Sequence, residues 1–138
     1  MSNLRQIVNQ IQMIPSNDYQ FYGNRIYMIV GPQTNISNFN EAAFQKCKKE
    51  IKARSLGGVP KVETSFDLFQ EIGKHPSDYY MKDTLNKIST YWYDKGHDLK
   101  KSWYDAIIVL PGWEKSQGAA TEVLTAHMCG IPLVEWIG

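Results

Sequence analysis

Residues 104 to 111, YDAIIVLP, form the most strand-like run in the chain, and they lead through PGWEKSQG into a helical pattern that lasts to Cys129. An unbroken apolar run is what a strand buried on both faces needs, so this segment belongs near the centre of a sheet covered by helices. RIYMIV, residues 25 to 30, has the same character and stops at Gly31-Pro32, which suits a first core strand with a sharp exit. IPLVEW, residues 131 to 136, supplies a last strand after Gly130 stops the preceding helix. PKVETSF, residues 60 to 66, alternates Val62, Thr64 and Phe66 with polar residues, the pattern of a strand at a sheet edge.

Helical stretches separate these strands. From residue 40 to 54, Phe44, Cys47 and Ile51 make one apolar face, lysines cover the rest, and Gly57-Gly58 ends the run. Met81, Leu85, Ile88 and Trp92 fall at i, i+4, i+7 and i+11, which predicts a helix from about 78 to 93 capped by Ser77 or Asp78. KGHDLKKS, residues 95 to 102, then reads as a polar excursion. Ahead of the core, Leu4, Ile7, Val8 and Ile11 behind Ser2-Asn3 predict a short amphipathic helix, and residues 15 to 24 a connecting loop. The expected organisation is an N-terminal helix and linker over residues 1 to 24 and one domain over 25 to 138. Strands alternating with helices imply right-handed crossovers and an α/β fold in three layers, a parallel sheet of four to five strands with helices on both faces.

A chain of 138 residues suits one domain with a real core. Its 15 basic and 14 acidic residues are interspersed and leave a net charge of +1, so no basic stripe points to a long nucleic acid. No stretch approaches the roughly 18 apolar residues of a membrane span and no secretory leader is visible, so a soluble, cytoplasmic protein is expected. Cys47 and Cys129 sit far apart at apolar helical positions and read as small buried hydrophobes. His75, His97 and His127 share no ligand spacing, so neither a metal nor another cofactor is implied.

In parallel sheets, ligands gather at the carboxyl ends of the strands. Two loops qualify. GPQTN, residues 31 to 35, is either an ordinary strand exit or a ligand loop in which Gly31 admits close approach and Thr34 and Asn35 hydrogen-bond a sugar or base. PGWEKSQGAATE, residues 111 to 122, places two glycines, Gly112 and Gly118, and the capping residue Ser116 at a helix start, where anions are favoured. Trp113 either stacks on a base or roofs the loop. Glu122 lies about one turn into the helix among small neighbours, and an isolated glutamate there is more often a surface residue favoured by the helix dipole. By spacing alone Asp83 lies off the apolar stripe and is a solvated residue.

Three motifs, IYMIVGPQTN at 26 to 35, DYYMKDTLNKI at 78 to 88 and DAIIVLPGWEKSQGAATEVLTAHMCGIPLV at 105 to 134, give the chain a further meaning. In them it resembles the nucleoside 2-deoxyribosyltransferase-like superfamily, which includes the 2'-deoxynucleoside 5'-phosphate N-hydrolases and cytidylate N-glycosidases. Within that superfamily it is most similar to a small phage and bacterial domain family of unassigned function. The resemblance implies a flavodoxin-like fold and a nucleotide-sized ligand. It implies that Glu122 attacks the sugar's anomeric carbon or stabilises its cationic transition state, that Ser116, six residues earlier, holds a 5'-phosphate, and that Asp83 supports the sugar or the nucleophile. Gly31 and Pro32 would form the pocket floor, with Tyr27 beside it, and a homo-oligomer, in which one subunit helps close the other's pocket, is expected. The chain departs from that pattern at residues 1 to 24 and in TYWYDKGHDLKKSW, residues 90 to 103. Two functional classes follow: a nucleotide N-glycosidase or deoxyribosyltransferase, and a protein that binds a nucleotide without turning it over.

Overall fold

The apolar runs that mark the centre of the sequence also form the centre of the structure. A computed structural model describes residues 8 to 33, 36 to 68, 77 to 96 and 99 to 138. Its strands are β1 (Ile14–Pro15), β2 (Ile26–Val30), β3 (Lys61–Glu63), β4 (Tyr91–Asp94), β5 (Leu99–Ser102), β6 (Ala106–Val109) and β7 (Leu133–Glu135). Its helices are α1 (Glu41–Arg54), α2 (Ser65–Leu68), α3 (Ser77–Ser89) and α4 (Gln117–Met128). Five strands make one parallel sheet in the order β1-β7-β6-β2-β3.

Because side chains alternate along a strand, β2 and β6 feed two cores. Tyr27, Ile29, Ala106 and Ile108 meet Phe44, Cys47 and Ile51 of α1 on one face. Met28, Val30, Ile107 and Val109 meet Ile88 of α3 and Val123 and Ala126 of α4 on the other. Three layers result, in the flavodoxin-like arrangement expected. Each of these aliphatic side chains removed from water contributes about 1.5–3 kcal/mol, which is why the two strands with no polar face fix the layer order.

The structure differs from the sequence expectation in three places. Ile14–Pro15 pairs in parallel with Val134 and Glu135, so the stretch expected as a linker supplies the sheet's outer strand. Phe21, in the same stretch, is fully buried. Residues 8 to 10 are helical, while the Ser2-Asn3 cap, Leu4 and Ile7 lie outside the described residues. The second helix ends at Ser89, and Trp92 belongs to an antiparallel hairpin, β4 with β5, instead of the helical stripe. Tyr-Trp-Tyr favours a strand, and Trp92 fell in helical phase by coincidence. It is 47% exposed, with the Lys101 ammonium 5.1 Å from its ring centre. Lastly, Cys129 is exposed just past the end of α4, whereas Cys47 is buried as expected, its thiol pushed up by burial.

Gly31 shows how tightly the central strands close. A Cβ there would stand 2.8 Å from the Leu110 Cβ and 3.0 Å from its Cδ1, and Leu110 is buried. This contact by itself requires a glycine. Gly31→Ala is expected to destabilise the fold by about 1–3 kcal/mol through overpacking, with an unchanged m-value in urea.

Candidate functional site

Leaving β1 aside, the strands lie in the chain order 2-1-3-4, so the direction of winding reverses between β2 and β6. Loops that leave this pair diverge to opposite faces of the sheet and open a crevice at their carboxyl ends. The described part of the first loop, residues 31 to 33, and the second loop both sit there. Val30 is in register with Val109, and the Leu110 N–H donates to the Val30 carbonyl at 2.9 Å. Beyond that bond the chains remain adjacent, since a Cβ on Gly112 would lie 3.5 Å from the Pro32 Cγ. Gly112 takes φ 85°, a left-handed conformation that turns the chain into a short 3-10 segment, Trp113–Lys115.

Ser116 then caps α4, its Oγ accepting from the Ala119 N–H at 3.3 Å. That bond uses a lone pair and leaves the hydroxyl hydrogen free to donate to an anion at the helix start. Trp113 is partly buried against the core cluster that contains Val123, so it roofs the loop. Gly118 is where α3 approaches, with the Met81 sulfur 3.6 Å from the site of an added Cβ.

Glu122 stands on the flank of α4 that carries Ala119 and Ala126, both buried. Its side chain is partly covered, and it makes no hydrogen bond or ion pair among the described residues. Some of its surface still meets solvent, but protein crowds the carboxyl closely enough for burial to push its pKa up to about 8. A carboxyl left without a partner in such surroundings makes Glu122 a candidate functional residue.

A buried network that the sequence did not announce lies within electrostatic reach. Tyr104 donates its hydroxyl to Glu63 Oε2 at 2.6 Å. Lys61 and Lys87 stand 3.2 and 3.3 Å from the same carboxylate. Burial alone would raise the Glu63 pKa, but these partners outweigh it and hold the carboxyl below its ordinary value. Burial, the hydrogen bond to Glu63, and the charges of Glu63 and Glu122 all push the Tyr104 hydroxyl up. Glu63 and Tyr104 are 41 residues apart, which no local spacing rule could have paired.

The remaining expected residues divide. Pro32 is at the crevice and its carbonyl accepts from Asn40 Nδ2 at 3.1 Å. Gln33, next along, accepts from Ser65 Oγ at 3.0 Å, while its buried Nε2 has no partner. Asn40 and Gln33 are thus further residues of this loop region that the sequence reading passed over. Thr34 and Asn35 lie outside the described residues. Tyr27 is corrected: it is fully buried in the α1-side core, receives the Tyr22 N–H at 2.9 Å and packs edge-on against Phe21. It sits three residues before the strand's carboxyl end and serves packing. Asp83 is exposed, about 200° around α3 from Met81 at 100° per residue. The structure therefore brings Pro32, Gly112, Trp113, Ser116 and Gly118 together at the carboxyl ends of β2 and β6 and leaves Asp83 on another face.

Among the described residues no group of three or more His, Cys, Asp and Glu side chains is gathered as a metal site would need. Nor is any helix among them long and apolar enough to cross a membrane.

Fold and crevice together define a flavodoxin-like α/β domain with a glycine- and serine-bearing loop at its switch point. More particularly, the chain belongs to the family described as a domain of unknown function, DUF4406, whose model matches residues 24–135. No curated protein and no solved structure matches the chain.

Proposed function

We propose that the protein cleaves or transfers the N-glycosidic bond of a nucleoside 5'-monophosphate or related nucleotide, in the manner of the nucleoside 2-deoxyribosyltransferase-like enzymes it resembles. The observation that carries this reading is Glu122, an unpartnered carboxyl with its pKa raised to about 8, six residues beyond a serine that caps the same helix. Breaking the C1'–N bond builds positive charge on the sugar ring. A carboxylate in a poorly solvated place has few competing partners and stabilises that charge strongly. Glu122 would attack C1', the bonding electrons would leave with the base, and the base would take a proton from solvent or an acid. Water, or the base of a second nucleoside, would then attack C1' and release the carboxylate.

Ser116 supports the phosphate half of the reading, because its free hydroxyl hydrogen and the amide groups of the α4 start favour a dianion. Ser116→Ala should weaken binding of a nucleoside monophosphate about tenfold and lower stability by roughly 1 kcal/mol through the lost cap. Ser116→Asp keeps the cap and repels phosphate, so calorimetric titration should show lost affinity without lost stability.

One observation favours the alternative of a non-catalytic nucleotide sensor or sequestering protein. Asp83 is exposed and lies about 200° around α3 from Met81, the residue that meets α4, so it does not stand beside Glu122 to protonate a departing base. Incubation with a nucleotide panel, followed by chromatography for released base, decides between the two. Release that is lost in Glu122→Ala supports the enzyme. Absence of release, with a thermal shift that grows with ligand excess and intact ligand recovered, supports the binder.

A further inference from the structure

A second charged recess lies one strand beyond β2, at the opposite edge of the sheet from β7. It occupies about 420 Å³ at the free edge of β3, and Lys48 and Lys52 of α1, Lys61 of β3 and Lys87 of α3 all line it, with Glu63 and Asp67. Among the described residues that line it, four ammonium groups against two carboxylates leave a formal surplus of two positive charges.

The two carboxylates act as clamps. Glu63, buried, holds Lys61 and Lys87 at 3.2 and 3.3 Å while Tyr104 satisfies it from beneath. Asp67 holds Lys48 with both oxygens at 3.0 Å and also receives the Thr64 N–H at 2.9 Å. Each ammonium has three hydrogens. Those of Lys61 and Lys87 that do not face Glu63 remain available, as do those of Lys52, which has no ion-pair partner among the described residues. Lys48 and Lys52 are one helical turn apart, and Asp67 neutralises the first while the second stays unpaired beside it among the described residues.

Guarding an exposed strand edge against pairing would need only Lys61. It does not account for Lys48, whose side chain is 19% exposed, or for Lys87, both reaching the edge from helices on opposite faces of the sheet. The lining is mostly charged, so an apolar ligand has little to bury, whereas phosphate oxygens match ammonium point charges.

We propose that this recess is a binding site for a small phosphorylated anion, of which pyrophosphate is the simplest representative. Its lining contains none of the loop residues at the Glu122 crevice, although Tyr104 stands between Glu63 and Glu122, and it does not depend on that site's chemistry.

The test is titration of the full chain with sodium pyrophosphate at constant ionic strength, read by calorimetry and by the thermal midpoint, with sodium sulfate as the control anion. Pyrophosphate is expected to raise the midpoint by several degrees more than sulfate does. Lys52→Glu should weaken pyrophosphate binding at least tenfold and Lys52→Ala by less. Lys46→Glu, the same charge reversal on an exposed part of α1 outside the recess, should leave affinity within twofold, as should Ser116→Asp in the other site. Equal stabilisation by sulfate, or equal weakening by Lys46→Glu and Lys52→Glu, means diffuse charge attraction and overturns the proposal. Loss of binding in Ser116→Asp alone places the anion at α4 and overturns it too.

Discussion

Glu122→Gln should reduce base release by a factor of about 10³ or more and, in the same protein, increase stability at alkaline pH. The two effects share one cause. Burial raises the Glu122 pKa from 4.5 to about 8, so the native state keeps a proton that the unfolded chain gives up between those values. The contribution to stability is fully present below about pH 4.5 and is lost as pH rises through about 8. Glutamine never ionises and escapes this loss. At about 1.4 kcal/mol per pH unit, discounted for the solvent the side chain still meets, the variant should gain roughly 1–3 kcal/mol at pH 9 and nothing at pH 4. Urea denaturation across that range measures it. In the proposed reaction the attacking form is the carboxylate, so the parent's kcat/KM should rise with pH along a limb near 8 and reach a plateau above it. A limb near 4.5 would mean that the carboxyl is well solvated in the working enzyme and would sink the argument from burial.

Glu63→Ala is expected to have the largest effect on stability alone, a loss of about 3–5 kcal/mol at pH 7. Removing the carboxylate strands the Tyr104 hydroxyl inside the core and leaves Lys61 and Lys87 facing each other across the space it filled. The pH dependence runs opposite to that of Glu122. The folded carboxyl titrates below its ordinary value, so its contribution is present above about pH 4.5 and is lost as pH falls through the folded pKa. Parent and variant should therefore converge in acid, and thermal melts between pH 2.5 and 7 would show it. A constant gap over that range would mean that lost packing, not lost charge pairing, explains the defect. Between them the two glutamates penalise both ends of the pH scale.

How much of this was legible beforehand follows from the kind of burial each residue has. β2 and β6 are covered on both faces, so their sequences have no polar interruption and need no partner to be recognised. α4 is bracketed by Ser116 and by Gly130 at φ 72°, both local signals. β1 is two residues long and carries a proline, and its evidence lies in the strand it joins, more than a hundred residues away. Tyr27 alternates like its neighbours, and only the packing of Phe21 and Tyr19 around it shows that its hydroxyl turns inward. At the crevice, Ser116 and Gly112 were readable because caps and left-handed turns are local. Glu122 was ambiguous because its distinction is an environment, supplied by elements remote in sequence. Asp83 is the reverse case, since its spacing placed it in solvent and the structure leaves it there.

The short strand β1 has a consequence for how the chain must be made. Ile14 is in register with Val134, and Ser16 Oγ receives the Ile137 N–H at 2.9 Å, so this pairing joins segments more than a hundred residues apart. During synthesis β1 has no strand to dock on until β7 has emerged, and loop closure over that length makes the step late.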